Sequence, residues 1–200
     1  MAGNHEVDRR HLQIEDPFIL DDLRQMELAG NYNQWLYGLV KPYLCRRVLE
    51  IGPGIGNISR HILANADLLI GMEPNQHCFE VLEENFGKNP RFGLLSQRVE
   101  ESNPQELKAF GFDTIVCMNV LEHIADDVSI LRRFADVIKP GGRIVLLVPA
   151  VPQAYGPIDA AVGHFRRYTR ASLCAVAEAA NLPVERIFYS NFVGLLGWMF

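Results

Sequence analysis

From residue 17 onward the chain alternates apolar runs of strand length with longer stretches in which apolar residues recur every three or four positions. Phe18, Ile19, Leu23 and Met26 predict a short helix, and Tyr32, Trp35, Leu36, Leu39, Val40 and Tyr43 a second one with Pro42 near its end. Residues 48–51 read as a buried strand, and Ile58, Ile62 and Leu63 carry a helix to about Asn65. A second strand runs over 67–73, and Pro74 and Asn75 open a helix bearing Phe79, Leu82 and Phe86. Third and fourth strands fall at about 91–97 and at 112–118. Asp126 and Asp127 begin a helix with Ile130, Leu131, Phe134, Val137 and Ile138 as its inward stripe, which Lys139-Pro140-Gly141-Gly142 stops before a fifth strand at 143–149. An irregular segment, 150–168, leads to a helix that Thr169 caps, and residues 184–189 predict a sixth strand. Strands that alternate with helices in this way build an α/β fold with a mostly parallel sheet and helices on both faces.

Two hundred residues, 48% of them apolar, suffice for one domain around one core. A formal charge of -5 argues against a broad nucleic-acid-binding face and leaves a local basic pocket open, so no nucleic-acid partner is expected. Cys45, Cys78, Cys117 and Cys174 form no C-x-x-C pair and read as thiols in a reducing cytosol, which makes the expected location cytoplasmic. The first ten residues are polar with mixed charges, unlike a signal peptide, and residues 1–16 read as a loose leader. The longest apolar run, Phe192 to Phe200, is too short to span a bilayer, so no transmembrane segment is expected.

The chemistry concentrates where the first strand breaks. Val48-Leu49-Glu50-Ile51-Gly52-Pro53-Gly54-Ile55-Gly56-Asn57 is an apolar run with an acid near its end, followed by glycines at alternate positions. That is a strand, a tight turn and a helix start, where bare backbone and unpaired N–H groups can meet a ligand. A dinucleotide fingerprint would need glycine where Asn57 stands. The Glu-x-Gly-x-Gly-x-Gly pattern instead resembles motif I of the class I S-adenosylmethionine-dependent methyltransferases. The resemblance implies that Gly52, Pro53, Gly54, Gly56 and Asn57 carry the amino-acid end of S-adenosylmethionine, with Glu50 helping to orient it. It also implies an N-terminal helix closing over the cofactor. Tyr32 and Asn33 are the candidate lid contacts, against a plain packing role for Tyr32 and Trp35.

Glu73 follows from the residues themselves. An acid at the tip of the second strand of such a sheet offers two acceptor oxygens to the two ribose hydroxyls, with Pro74 and Asn75 beside it. The family carries an acid after its third strand for the adenine amino group. Arg98 occupies the aligned position here, so either Glu100 takes that task or the Val99 backbone and apolar packing hold the adenine. Met118, Asn119 and Val120 resemble the family's fourth motif, which meets the methionine moiety, and the switch-point rule independently places a ligand there. His123 is a candidate general base or a brace for the loop. The Lys-Pro-Gly-Gly turn is typical of the family, and Gly-His-Phe-Arg-Arg-Tyr-Thr at 163–169 resembles a sequence after the fifth strand in a bacterial branch of small-molecule methyltransferases. His164 is a second candidate base. Tyr155, Asp159, Arg166 and Arg167 are candidate acceptor contacts, or else the arginines pair with carboxylates such as Asp159.

These motifs imply a three-layer Rossmann-like sandwich with strand order 3-2-1-4-5-6, the family's seventh antiparallel strand missing. Residues 1–45 form a leader and lid helices, and 46–200 a single cofactor-binding domain for which C-terminal truncation is the economical reading. The implied function is transfer of a methyl group from S-adenosylmethionine to an oxygen, nitrogen or carbon nucleophile of a small-molecule acceptor by in-line displacement. A protein side chain stays open as acceptor, as does a homodimer, and the sequence requires no metal. The rivals are an NAD-dependent oxidoreductase, disfavoured by Asn57, and a non-catalytic cofactor-binding partner subunit, for which the missing strand and apolar tail give a motive.

Overall fold

In the computed structural model the backbone is described for residues 17–191 and side chains from Leu23 onward. The expected leader and the apolar tail at 192–200 lie outside the described residues. Helices α1 (Pro17–Leu28) and α2 (Gly30–Val40) precede β1 (Arg47–Ile51), and α3 (Ser59–Leu63), β2 (Leu68–Met72), α4 (Gln76–Phe86) and β3 (Phe92–Leu95) follow. Then come α5 (Pro104–Lys108), β4 (Thr114–Met118), α6 (Asp127–Val137), β5 (Arg143–Leu147), α7 (Pro157–Ala161) and α8 (Arg170–Ala179). The short helices α5 and α7 carry too little periodicity to be read from the sequence. The caps expected at three helix starts are in place. Asn75 accepts from the Cys78 N–H, Asp126 from Ser129 and Thr169 from Ser172.

All strand pairs are parallel, in the order 3-2-1-4-5. Alternation along the strands divides the core. Val48, Leu69 and Val116 turn to one face, against Tyr37 and Val40 of α2, Ile62 and Leu63 of α3, and Leu82 of α4. Leu49, Ile70, Ile115 and Cys117 turn to the other, against Leu131, Phe134 and Val137 of α6 and Ala177 of α8. This is the expected three-layer sandwich. Its order reverses between β1 and β4, so the carboxyl ends of those two strands flank a crevice.

The sixth strand is not formed. Residues 184–189 are described but irregular, and among the described residues no backbone hydrogen bond joins them to β5. The segment makes local side-chain contacts instead: Arg143 reaches Glu185 at 3.3 Å and Arg186 lies over the Phe188 ring. Val184, Phe188 and Tyr189 stay exposed, and an apolar strand face left uncovered has little to hold it in a ladder.

All four cysteines are free, Cys78 and Cys117 buried and Cys45 and Cys174 partly so. No helix among the described residues is long and apolar enough to cross a membrane.

Candidate active site

The loop after β1 is the first wall. Gly52, Gly54 and Gly56 hold φ of 63°, 60° and 87°, the left-handed region open to glycine at no steric cost. A Cβ on Gly52 would stand 2.5 Å from Val120 Cγ2, and one on Gly56 2.4 Å from Phe86 Cε2. At these two positions the bare backbone admits the turn after β4 and helix α4, so part of the glycine pattern serves packing. Asn57 Nδ2 donates to the Leu23 carbonyl at 3.1 Å, tying the loop to α1, while its buried Oδ1 has no hydrogen-bond partner.

Beneath the loop, Glu50 is 5% exposed and accepts the Ser59 hydroxyl at 2.6 Å, fastening the start of α3 to β1. Burial pushes its carboxyl up to about 7, the Ser59 hydrogen bond works the other way, and neighbouring Glu73 adds to the rise. At the tip of β2, Glu73 Oε2 accepts from Gly54 N–H and Oε1 from Asn75 N–H, both at 2.9 Å. Burial raises Glu73 to about 7 as well, against those two hydrogen bonds.

A cleft opens at these strand ends and runs on along β5 to Arg143 and residues 182–191, ≈ 1660 Å³ in all. Its lining includes Tyr32, Gly52, Gly54, Glu73, Pro74, Asn75, Val99, Glu100, Met118, Asn119 and Val120 from the expected cofactor set, with Gln97 and Arg98 at the end of β3. Val99 is buried and Glu100 exposed on a short 3-10 turn. Asn119 takes a φ of 53° as its N–H continues the ladder to Leu147 O. Tyr32 accepts from Asn191 Nδ2 at 3.3 Å, across the cleft from its own helix, whereas Asn33 is buried and donates to Met26 O. Glu50, Pro53, Gly56 and Asn57 lie outside the lining and brace it from behind.

At the far end the cleft reaches His123, His164 and Arg167. Asp159 is fully buried and receives Arg167 Nε at 2.8 Å, Gly156 N–H at 3.0 Å and His164 Nδ1 at 2.8 Å. Burial works against its charge, but the hydrogen bonds from Arg167, His164 and Gly156 outweigh it and hold the carboxyl at about 2. Nδ1 of His164 meets this carboxylate, so Nε2 is the ring nitrogen turned to the remaining neighbours. Arg166 pairs with Asp127 at 2.6 Å and donates to Ala125 O, and the exposed Tyr155 donates to His164 O. The pairing of both arginines with carboxylates is thus what the structure shows. Tyr155, Asp159 and Arg166 are not in the cleft lining.

Glu122 is the residue to which the sequence reading gave no role. It sits on the 3-10 turn Leu121–His123 after β4, 1% exposed, with neither carboxylate oxygen hydrogen-bonded to another residue. Burial raises it to about 8, against its own backbone N–H and the Arg167 charge, with Asp159 adding to the rise. Desolvation and then His164 push His123 down to about 4, and the two imidazoles meet edge to face with centroids 4.6 Å apart. An acid directly before a histidine, just past a strand at the switch point, was the available signal.

A parallel 3-2-1-4-5 sheet with a glycine turn after β1, an acid at the tip of β2 and a cleft across the switch point defines a class I methyltransferase fold. Residues 18–187 match the family model described as a methyltransferase domain, and the chain belongs to that family. It is 28% identical over 168 residues to the ubiquinone biosynthesis O-methyltransferase of Aeromonas salmonicida, covering 70% of this chain and 64% of that protein. It is also 28% identical over 166 residues to the tRNA U34 carboxymethyltransferase of Pseudoalteromonas atlantica, covering 80% of this chain and 50% of that one. Among solved structures, phosphoethanolamine N-methyltransferase 2 of Haemonchus contortus in complex with S-adenosyl-L-methionine superposes with a TM-score of 0.61 at 19% identity, over 75% of this chain and 36% of that one. This chain thus spans less than two thirds of the length of each of these proteins.

One expectation is overturned here. The acidic charge leads to the expectation of no nucleic-acid partner, yet relatives named for tRNA match most of this chain. A net charge sums over the whole surface and does not exclude a local basic face.

Proposed function

We propose that this chain binds S-adenosylmethionine across the carboxyl ends of β1, β2 and β4 and transfers its methyl group to an oxygen, nitrogen or carbon nucleophile of a small-molecule acceptor. The observation that carries the reading is Glu73. Each of its oxygens takes one backbone N–H, and each retains a second acceptor position for one of two neighbouring hydroxyls. The bound cofactor supplies an electrophilic sulfonium methyl already activated for displacement. The protein's part is alignment. Glu73 holds the ribose, the Val99 backbone and Glu100 flank the adenine, and Met118, Asn119 and Val120 receive the methionine end. Glu50 acts from behind by fixing Ser59 and the loop. Tyr32 on α2 and its contact with Asn191 close the cleft over the donor, which gives residues 17–45 the role of a lid. The free thiols fit a cytoplasmic setting.

Calorimetric titration with S-adenosylhomocysteine, with NAD as control, tests the reading. Micromolar binding of the first alone supports it, and binding of NAD alone overturns it. Methyl transfer is then followed from labelled donor to hydroxylated aromatics, amines and bulk tRNA. Transfer to tRNA alone would overturn the small-molecule acceptor. Cofactor binding with no transfer to any acceptor would favour the non-catalytic partner subunit.

A further inference from the structure

The end of the cleft beyond the cofactor contacts holds a set of donors that methyl transfer as such does not need. We propose that Glu122, His123 and His164 form a binding site for one divalent first-row transition-metal cation.

The ligand atoms these residues offer, one carboxylate oxygen and two imidazole nitrogens, all lie within 4.8 Å of one another. Glu122 is the anomaly that calls for a cation. The buried acids Glu50, Glu73 and Asp159 each accept at least one hydrogen bond. Glu122, 1% exposed, accepts none from another residue at either oxygen; His164 Nε2 stands 3.8 Å off, beyond a hydrogen bond, and the backbone N–H of Glu122 itself and the Arg167 charge do not outweigh its burial. A buried carboxylate so little compensated keeps much of its desolvation cost, which a coordinated cation removes.

His164 is held as a metal-binding histidine is held. Its Nδ1 meets Asp159, itself fixed by Arg167 and the Gly156 N–H, so Nε2 is the nitrogen placed beside Glu122, 3.8 Å from Oε1. His123 follows Glu122 on the same turn, and its ring meets that of His164. The two carrying segments are tied by the Phe165 N–H donating to Glu122 O at 2.8 Å, so the donors come from pieces of chain already locked together. Metal–nitrogen and metal–oxygen bonds of about 2.0–2.2 Å place tetrahedral ligand atoms roughly 3.3–3.6 Å apart, a contraction that small side-chain rotations supply from the spacings here.

Two imidazoles and one carboxylate select Zn²⁺, Fe²⁺, Co²⁺ or Ni²⁺ over Mg²⁺ and Ca²⁺, which want oxygen ligands. Three protein ligands leave coordination positions open, and all three residues line the cleft. An acceptor hydroxyl can take such a position, which narrows the acceptor class to an oxygen nucleophile. That last step rests on the methyl-transfer reading; the metal site does not.

The test is titration of the chelator-stripped protein with ZnCl2, with MgCl2 as comparison, in the wild type and in Glu122→Gln, His164→Ala and Cys45→Ser/Cys174→Ser. The expected result is one equivalent of Zn²⁺ bound at micromolar Kd or tighter, at least tenfold weaker in Glu122→Gln and His164→Ala. The cysteine variant should be unchanged, and Mg²⁺ at least a hundredfold weaker. Co²⁺ absorption of the wild type should show nitrogen and oxygen ligation without thiolate charge transfer. S-adenosylhomocysteine binding of each variant reports folding and separates the two readings. Wild type that binds the cofactor product but no Zn²⁺ below millimolar overturns the metal site, as does zinc binding undiminished in both ligand variants or a thiolate spectrum. Zinc binding without cofactor binding leaves the metal site and removes the methyl-transfer reading.

Discussion

Replacing Glu73 with alanine probes the cofactor reading and the architecture of the loop together. In the folded protein its two oxygens accept from Gly54 and Asn75, so the side chain joins the glycine turn after β1 to the tip of β2. Glu73→Ala leaves both N–H groups without their acceptor, at about 1–3 kcal/mol each. It also removes a 6% exposed carboxyl raised from 4.5 to about 7, whose burial costs about 3 kcal/mol above neutral pH. The two effects oppose each other, so global stability should fall by no more than about 3 kcal/mol and the variant should fold. Binding has no such offset. Two charge-assisted hydrogen bonds to ribose hydroxyls are lost, worth about 1.5–3 kcal/mol each, and even one of them at the low end is about tenfold in affinity. S-adenosylhomocysteine affinity, measured calorimetrically beside a urea unfolding curve, should fall at least tenfold and at most about ten-thousandfold. A variant that unfolds like the wild type and binds within threefold of it would refute the ribose role of Glu73.

Three further perturbations follow from the geometry. Gly56→Ala puts a methyl group at a φ of 87° and 2.4 Å from Phe86 Cε2, so it should cost about 1–3 kcal/mol in urea unfolding, partly recovered by Phe86→Leu; a loss under about 0.5 kcal/mol would contradict the packing described. Asp159→Ala strands Arg167, which is 8% exposed, and should destabilise by about 3–5 kcal/mol, with Asp159→Asn milder; equal effects of the two would speak against a charge-based role. Glu50, facing the Ser59 hydroxyl and Glu73, has its folded pKa raised from 4.5 to about 7, so the unfolded chain releases that proton first. Unfolding free energy then falls as pH rises from about 4.5 to 7, and Glu50→Gln should gain on the wild type by up to about 3 kcal/mol across that window; a gap between the two that is the same at pH 5 and pH 8 would sink this linkage.

The five strands and the long helices were legible because each has one period and one punctuation. Residues 143–149 are an apolar run behind Gly141-Gly142, and α6 is a stripe behind the Asp126 cap. Residues 184–189 offered the same local pattern without a strand resulting, because pairing depends on what covers the far face of an edge, which a six-residue window does not contain. In the site, Glu73 could be read from its place at a strand tip. The division of labour among the glycines could not, since it depends on Val120 and Phe86 arriving from far along the chain. Arg166 and Arg167, adjacent in sequence, part to different carboxylates, Asp127 and Asp159, a choice fixed by tertiary direction alone.

What unites the site is a row of buried acids at the carboxyl ends of neighbouring strands: Glu50 in β1, Glu73 just past β2 and Glu122 just past β4, all pushed up by burial. They differ in what they accept. Glu50 takes a hydroxyl from its own fold, Glu73 takes two backbone N–H groups with acceptor capacity to spare, and Glu122 takes nothing. Of the three, Glu122, at the open end of the cleft, alone takes no hydrogen bond from another residue. An acid that faces only its own fold has no route to a ligand, and one left unsatisfied at the cleft is a cost that folding alone does not explain. Their partners and positions therefore match a structural role for Glu50, which lies outside the cleft lining, a shared role for Glu73 and a ligand-dependent one for Glu122.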